Sequence, residues 1–503
     1  MSYQSLYSAA QVRELDRIVI KEFGISGYEL MQRAGRFVYT ILNQTWSKTS
    51  SIGIFCGGGN NAGDGYVLAR LAIEDGKDVQ VFNCFDPEKL KGDAKKTYQE
   101  LVATDVKLIN NIRDFCHPHT RNTLIIDAIF GTGLTRDIDD NHLIGIIEFI
   151  NSLGSSGNKT AKVLSIDIPS GLNADTGSIM NVAVNADVTA TFMGMKKGMM
   201  THDGIECSGQ VIFDSLDIPD ESYEQVGKPE SYHIDYENLK YFHGTRKRNS
   251  HKGNFGHVLI VGGDEGYLGA AQMAAEAAMR VGSGLVSVAT RKSHAAQVSI
   301  AVPEIMSHGV EALDKLMPLI KRASVIAIGP GLGQSDWAKL LFARVLESDL
   351  PIIIDADALN LLAEEEQSSQ NWVITPHPGE AARLLKTDVP TIQSDRFQFA
   401  RDLHEKYHGP VVLKGAGSIV TDLEGNLYVC SEGNSGMSTG GMGDVLTGVI
   451  AGLVAQGADI ETATQAGVLM HARAADMAAF DGGERGMIAT DLMPYLRELA
   501  NPE

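Results

Sequence analysis

Several things are scarce in this 503-residue chain, and each scarcity excludes something. Cysteine is rare: five residues, Cys56, Cys84, Cys116, Cys207 and Cys430, with no Cys-x-x-Cys pair. That odd count argues against a disulfide framework or a structural zinc site and fits a reducing compartment. No apolar run is long enough to span a membrane. The opening Met1-Ser2-Tyr3-Gln4 has no basic stretch followed by an apolar one, so we expect no signal peptide and a cytoplasmic location. Basic residues are in deficit, 43 Lys and Arg against 63 Asp and Glu, for a net charge of −20. Such a surface repels nucleic acids and anionic membranes, so neither is an expected partner. An anionic ligand must be held locally, by backbone amides or a few basic side chains.

What is present describes a folded, multidomain protein. Apolar residues make up 44% and charged residues 21%, and a chain this long needs more than one core. It opens with a helix: Ser8 and Gln11 read as a capping box, and Val12, Leu15, Ile18 and Val19 form an apolar stripe. A second helix is expected over 28–43. Short apolar strands then alternate with helices, the strands at 52–56, 79–84, 123–129, 163–168 and 188–193. That alternation predicts βαβ units and a mostly parallel sheet. The pattern fades near 214–248, which reads as a linker with a solvated basic cluster, Arg246-Lys247-Arg248. A second series has strands at 257–261, 285–289, 325–328, 352–354, 372–374 and 411–413, with alanine-rich helices at 270–281 and 463–479 suited to close packing.

Ligands of open α/β sheets bind beyond the carboxyl ends of the strands. After 52–56 comes Gly57-Gly58-Gly59-Asn60-Asn61-Ala62-Gly63-Asp64-Gly65, a glycine loop opening a helix, where free amides suit an anion. The next strand ends bring Asp127 with Gly131-Thr132-Gly133-Leu134, and Asp167-Ile168-Pro169-Ser170-Gly171. Asn61, Asp127, Asp167 and Ser170 converge on one edge, where oxygen ligands suit a hard cation and either Asp suits acid–base work. These motifs, with Gly27-Tyr28-Glu29-Leu30-Met31-Gln32-Arg33-Ala34-Gly35, resemble the epimerase domain of the bifunctional NAD(P)H-hydrate repair enzymes over roughly residues 5–215. The resemblance implies interconversion of R and S hydrated NADH and NADPH with a bound potassium ion. By position, Asn61, Asp127 and Ser170 would hold the potassium. Asn60, Asn61, Ala62, Gly63, Asp64, Gly131, Thr132, Gly133, Leu134, Thr135, Arg136, Asp137 and Asp167 would contact the hydrate, with Asp167 as acid–base residue. At Ala62 the family usually has glycine.

In the second half, the glycines of Ser438-Thr439-Gly440-Gly441-Met442-Gly443-Asp444 sit at a helix start, an anion hole with a carboxylate beside it. Asp444 there can take a proton from a hydroxyl attacking a phosphate, and Lys414 can pair with a nucleotide phosphate. His377 reads either as a site residue or as a packed core histidine. Six motifs occur in order: Lys252-Gly253-x-x-Gly256, Gly329-Pro330-Gly331-Leu332-Gly333, Asp355-Ala356-Asp357-Ala358-Leu359, Thr375-Pro376-His377-Pro378-Gly379-Glu380, Lys414-Gly415 and Gly440-Gly441-Met442-Gly443-Asp444. They resemble the ADP- or ATP-dependent NAD(P)H-hydrate dehydratase domain, ribokinase-like, over roughly 228–500. The resemblance implies dehydration of the S form at the expense of ADP (ATP possible), releasing AMP and phosphate, with Mg2+ at this site. Ala270, Gly333, His377, Pro378, Gly379, Glu380, Ala381, Ala382, Arg383 and Asp444 would contact the hydrate, with Asp444 as base. Lys414, Gly415, Ala416, Gly417, Ser418, Gly433, Asn434, Ser435, Gly436, Met437, Ser438, Thr439, Gly440, Gly441, Met442 and Gly443 would contact ADP.

The expected fold class is α/β: two three-layer α/β/α domains, Rossmann-like over 1–220 and ribokinase-like over 248–503, with a linker at 221–247. The alanine-rich helices and the resemblance both point to a homo-oligomer. Two alternatives stay open on the residues: a vitamin-type kinase, and an N-terminal half that binds without catalysing.

Overall fold

The computed structural model describes residues 3–109, 111–112, 115, 123–154, 161–239, 246–365 and 367–501; Cys116 and positions 240–245 of the expected linker lie outside them. The chain divides into two compact units, Ser5–Ser231, and Met1–Gln4 with Tyr232–Glu503. The boundary falls inside 221–247, but much of that stretch is structure, not linker. Helix Asp220–Val226 packs on the leading helix, and the Tyr223 hydroxyl donates to the Met193 carbonyl at 2.6 Å. Strand Ser231–His233 pairs with Leu427–Cys430 through Tyr232 and His233. A polar composition concealed both, because a short helix needs only one apolar stripe, here Tyr223 and Val226 against Leu15, Val19 and Leu30.

In the N-terminal unit, seven parallel strands run in the spatial order Lys107–Ile109, Asp78–Asn83, Ser51–Cys56, Thr123–Ala128, Ala161–Ile166, Val188–Phe192 and Gln210–Asp214. Alternate residues point to opposite faces. Ile52, Ile54, Leu124, Ile126, Leu164 and Ile166 pack with helices Gly27–Thr45 and Asn60–Glu74. Phe55, Ile125 and Val163 pack with helix Asn141–Gly154 on the other side. The sheet is therefore the middle of three layers. Helix Ala9–Glu22 has the expected capping box, with the Gln11 amide donating to Ser8 Oγ at 3.2 Å, and it buries Val12, Leu15, Ile18 and Val19.

The C-terminal unit repeats the winding with six parallel strands, ordered Met306–Gly309, Leu285–Thr290, His257–Val261, Val325–Ile328, Ile352–Ile354 and Trp372–Ile374. The expected strand at 411–413 does not continue this ladder in full. Only an isolated bridge joins Val411 to Ile374, and Val412–Leu413 turns into an antiparallel pairing with Ser418–Thr421, followed by Leu427–Cys430. The alanine-rich helices pack on other helices as well as on the sheet. Helix Leu268–Arg280 buries Ala271, Ala274, Ala275, Ala277 and Ala278 and packs tightly on Met442–Ala455. Helix Ile460–Gly482 buries its alanines in the same core. Their composition is thus accounted for inside the unit and says nothing about assembly.

The basic cluster at 246–248 is partly structural. Arg246 lies 3.7 Å over the Phe255 ring and donates to Gln456 Oε1 at 2.6 Å. Cys56, Cys84, Cys207 and Cys430 are free and buried. No helix among the described residues is long and apolar enough to cross a membrane.

The close approach of helices Leu268–Arg280 and Met442–Ala455 supplies a test. A Cβ on Gly448 would lie 2.0 Å from the Ala274 carbonyl oxygen, so the helices must separate to admit one. We expect Gly448→Ala to lower the unfolding free energy by about 1–3 kcal/mol, read by urea denaturation. Unchanged stability would show that the contact is not close.

Candidate active sites

In the N-terminal unit the strand order reverses between Ser51–Cys56 and Thr123–Ala128, the place where parallel sheets leave a crevice. A cavity of about 970 Å³ opens there, lined by Asn60, Asn61, Asp64, Gly131, Thr132, Gly133, Leu134, Thr135, Arg136 and Asp167 among others. Of the expected hydrate contacts, Ala62, Gly63 and Asp137 do not line it. The glycine loop is shorter than its sequence suggests, because helix Asn60–Glu74 begins inside it. Ala62 therefore has helical backbone with negative φ, where a methyl is favourable, and the departure from glycine is harmless.

Asp127 is fully buried behind the cavity and accepts from Ser165 Oγ at 2.8 Å, Ser170 Oγ at 2.6 Å and the Ser170 amide at 2.8 Å. Burial pushes its carboxyl up, and those hydrogen bonds only partly oppose the rise. Asn61 is buried beside Gly131, and neither its Oδ1 nor its Nδ2 has a hydrogen-bond partner. Asn61, Asp127, Asp167 and Ser170 do converge around 130–131, since Ser170 Oγ accepts from the Phe130 amide at 2.8 Å and Gly131 abuts both Asn61 and Asp167.

Asp167 has a left-handed backbone, φ 71°, which turns its side chain back over the strand end. Its Oδ1 pairs with Lys196 Nζ, and its Oδ2 accepts from the Thr132 amide at 3.2 Å. Lys196 is fully buried and also donates to Thr191 Oγ1 at 2.9 Å. Sequence reading missed Lys196, because Met195-Lys196-Lys197 reads as a solvated pair of charges. It also missed Arg13, Asp16 and Arg17, which reach the cavity from the leading helix at i, i+3 and i+4. Two further carboxyls here are perturbed upward: Asp64 well above its usual value and Asp16 to about 6, each by burial and then by Asp167.

The C-terminal site is built on a lysine–aspartate pair. Lys414 donates to Asp355 Oδ1 at 2.7 Å and lies 3.9 Å from Glu380 Oε2. Thr447 Oγ1 donates to Asp355 at 2.8 Å. Burial opposes ionisation of Asp355, yet Lys414 outweighs it and holds the carboxyl below its usual value. Burial likewise opposes the charge on Lys414, and Asp355 and Glu380 overcome it. The sequence offered Lys414 as a phosphate ligand; in the structure its ammonium is already engaged by a carboxylate. The neighbours respond in the opposite sense. Asp444 is pushed up to about 7 by burial and then by Asp355, and Glu380 to about 7 by burial despite Lys414.

Asp444 stands in the first turn of helix Met442–Ala455, whose N-cap is Gly441 with φ 96° and no side-chain cap. Only glycine suits that backbone, and a Cβ would also strike Met273 at 2.6 Å. The uncapped amides remain available for an anion. Gly443 brings the loop to the pair, since its Cβ position lies 3.1 Å from Lys414 Nζ. His377 is not a packed core histidine: its side chain is half-exposed and caps helix Pro378–Leu385, with Nδ1 accepting from the Gly379 amide at 2.9 Å. That helix carries Pro378, Gly379, Glu380, Ala381, Ala382 and Arg383, and Arg383 donates to Asn360 Oδ1 at 2.6 Å. The Gly333 amide donates to Asp357 at 2.9 Å.

Of the residues assigned to ADP, Ser435, Gly436, Ser438 and Thr439 line a second cavity of about 780 Å³, facing Glu484, Arg485, Gly486, Met487 and Ile488. Those five were missed, although Gly482, Gly483 and Gly486 signalled a loop. Gly433 and Asn434 are tied to Asp476 at 2.9 and 2.8 Å. The loop at 414–418 does not line this cavity; buried Arg396 braces it by donating to the carbonyls of Leu413 and Ala416.

Comparison with known proteins places these two sites in context. The family described as YjeF-related protein N-terminus matches residues 27–198, and that described as NAD(P)H-hydrate dehydratase matches residues 258–498. The chain is 46% identical over 500 residues to the bifunctional NAD(P)H-hydrate repair enzyme Nnr of Coxiella burnetii, covering 99% of each. It is 38% identical to the enzyme of that name from Escherichia coli, covering 99% of this chain and 94% of that one. A solved ribokinase-like superfamily protein from Enterococcus faecalis superposes with a TM-score of 0.50 at 29% identity, covering 53% of this chain and 94% of its own.

The Lys414–Asp355 pair can be tested for its structural weight. Lys414→Met leaves a buried carboxylate without its cation and should lower the unfolding free energy by about 3–5 kcal/mol. Adding Asp355→Asn should recover much of that loss in a double-mutant cycle followed by urea denaturation. Additive losses would show that the two side chains do not act as a pair.

Proposed function

The chain belongs to the bifunctional NAD(P)H-hydrate repair enzymes, and from that premise we propose that it epimerises hydrated NADH and NADPH in its N-terminal unit and dehydrates the S form in its C-terminal unit at the expense of ADP. The observation that carries this reading is the full-length match: both halves and both sites lie in one chain, aligned end to end with relatives of that name. A kinase reading accounts only for the second half.

In the N-terminal unit, the hydroxyl on the hydrated carbon must leave and return on the other face. Asp167, held by Lys196 and the Thr132 amide, supplies a fixed carboxylate beside the cavity. The oxygens of Asn61, Asp127 and Ser170 fit a potassium ion: Asn61 Oδ1 is buried without a partner, and no ammonium or guanidinium among the described residues bonds the buried Asp127. Such an ion would supply fixed positive charge for a substrate oxygen.

In the C-terminal unit, Asp444 takes the proton of the substrate hydroxyl as its oxygen attacks the terminal phosphorus of ADP and AMP departs. The amides at the Met442–Ala455 N-terminus hold the transferring group. Cleavage of the carbon–oxygen bond then releases phosphate, and loss of a ring proton restores the double bond. A carboxyl near 7 is well placed as that base, since about half of it is ionised at neutral pH and it is basic enough to take a proton. Mg2+ finds no protein cage here: the described residues contain no cluster of three ligating side chains, and Lys414 already bridges Asp355 and Glu380. The cation is assigned to the nucleotide phosphates. A homo-oligomeric state is proposed on family grounds alone.

Mixed R and S hydrated NADH, incubated with ADP and separately with ATP, tests the reading through NADH absorbance. Both epimers should be consumed. Absence of nucleotide-dependent NADH would sink it. With pure S hydrate, kcat/KM should rise as pH increases through about 7, because Asp444 must lose its proton to act as base. Asp444→Asn should lose about 100-fold or more in kcat at every pH. A variant as fast as the wild type would remove Asp444 from the mechanism.

A further inference from the structure

The leading helix Ala9–Glu22 lies outside the residues matched by the N-terminal family, 27–198, yet one of its faces forms part of the cavity wall through Arg13, Asp16, Arg17 and Ile20. That i, i+3, i+4, i+7 spacing is a continuous stripe, opposite the buried stripe that anchors the helix. Arg13 Nη1 donates to the Thr132 carbonyl at 3.2 Å, which ties the helix to the loop whose amide holds Asp167. Asp16, one turn further on, makes no hydrogen bond or ion pair with any described residue, and its side chain is open to the cavity. A second group points to a ligand in the same space: Asn61 lines it, is 7% exposed, and has both polar atoms unpartnered.

Epimerisation at one carbon needs proton transfer on both faces. Asp167 cannot supply both, because it reaches the carbon from the sheet edge alone and its two oxygens are held there by an ammonium and an amide. On the reading given above, we propose that Asp16 is the second catalytic carboxyl of the epimerase site, giving or taking a proton from the leading helix while Asp167 does so from the sheet edge. In one direction the Asp16 carboxyl donates its proton to the hydroxyl oxygen. The carbon–oxygen bond breaks, its electron pair leaves with water, and the lone pair of the adjacent ring nitrogen stabilises the carbon. A water on the other face then attacks, the nitrogen regains its pair, and the excess proton passes to the Asp167 carboxylate. Exchange with solvent through the open cavity returns the proton to Asp16. The reverse direction exchanges the roles. Acid and base on opposite sides of one carbon is the general requirement when a group departs from one face and water enters by the other. Asp64 is a weaker candidate for the role, since it is itself buried and therefore less accessible to the departing water. The other charges around Asp16 are Arg13 and Arg17 on its own helix, and Asp64, Asp93, Arg136, Asp167 and Lys196 on the elements it faces. Burial and Asp167 hold Asp16 near 6, so both of its forms are accessible close to neutrality.

The test uses the full-length protein and mixed hydrated NADH, with the epimers separated chromatographically and no nucleotide present. Asp16→Asn should lower the epimerisation kcat by about 100-fold or more with little change in KM, and Asp16→Glu should restore part of the rate. ADP-dependent loss of the S form by the same samples should stay at the wild-type level. The wild-type pH profile provides a readout that needs no variant: the rate should fall as pH rises through about 6 and Asp16 loses its proton. An Asp16→Asn protein that epimerises at the wild-type rate, a loss confined to KM, or a wild-type rate flat across that range overturns the role of Asp16. A wild-type protein that does not interconvert the epimers beyond the spontaneous rate overturns the epimerase reading itself.

Discussion

An ammonium taken out of water must have a carboxylate within reach, and both units place one such pair at the carboxyl edge of a parallel sheet. In the N-terminal unit it is Lys196 with Asp167, and in the C-terminal unit Lys414 with Asp355. Each pair sets a carboxylate against a buried ammonium, and in the C-terminal pair Lys414 holds Asp355 below its usual value. That fixed charge then acts on its neighbours. A second carboxyl nearby ionises less easily against that charge, and its proton affinity rises. Asp16 and Asp64 respond in this way to Asp167, and Asp444 responds to Asp355. Two carboxyls with opposed tendencies in one crevice is the arrangement from which acid and base roles are assigned. The lysine makes the division possible without itself touching the reacting carbon.

The positions of these pairs follow from the winding of the sheets. In both units the first strand of the series lies inside the sheet, the next two strands are added to one side, and the chain then returns to the other side. Adjacent connections therefore leave in opposite directions, and a crevice opens between them. Asn60 and Gly131 flank one such point; Asp264 and Gly333 flank the other. The C-terminal unit adds a helix start, that of Met442–Ala455, whose approach to Leu268–Arg280 depends on glycine against alanine.

Much of this was legible in the sequence, for a definite reason. Strands buried on both faces are short apolar runs, so 257–261, 325–328, 352–354 and 372–374 coincide with the observed strands. Edge strands such as Lys107–Ile109 and Met306–Gly309 are too short and too polar to announce themselves. Motif residues at strand ends were visible because glycine, asparagine and aspartate interrupt apolar runs. Lys196 and Asp16 were not. A lysine beside another lysine, and an aspartate on the polar side of an amphipathic helix, both read as solvated surface. Only the closed fold shows that one is fully buried and the other faces a cavity. For His377 the structure sets aside only the packed-core alternative: its imidazole caps a helix, a role that normally belongs to Ser, Thr, Asn or Asp.

The acidity of the chain sets a last constraint on the proposed substrates, which are polyanions. With a net charge of −20, the long-range field opposes their approach, so attraction must come from groups inside the screening distance. The two units meet this differently. The N-terminal cavity has Arg13, Arg17 and Arg136 among its lining residues, together with Asp16, Asp64, Asp93 and Asp167. The C-terminal site relies instead on backbone amides at an uncapped helix start, because its one central ammonium is held by Asp355. Amides bring partial charge without attracting a counter-ion of their own, so they stabilise a transferring phosphoryl group without trapping the ionised product. On the proposed mechanism, a site that releases phosphate at each turnover is better served by such dipoles than by further lysines, and the pairing of Lys414 with Asp355 keeps it so.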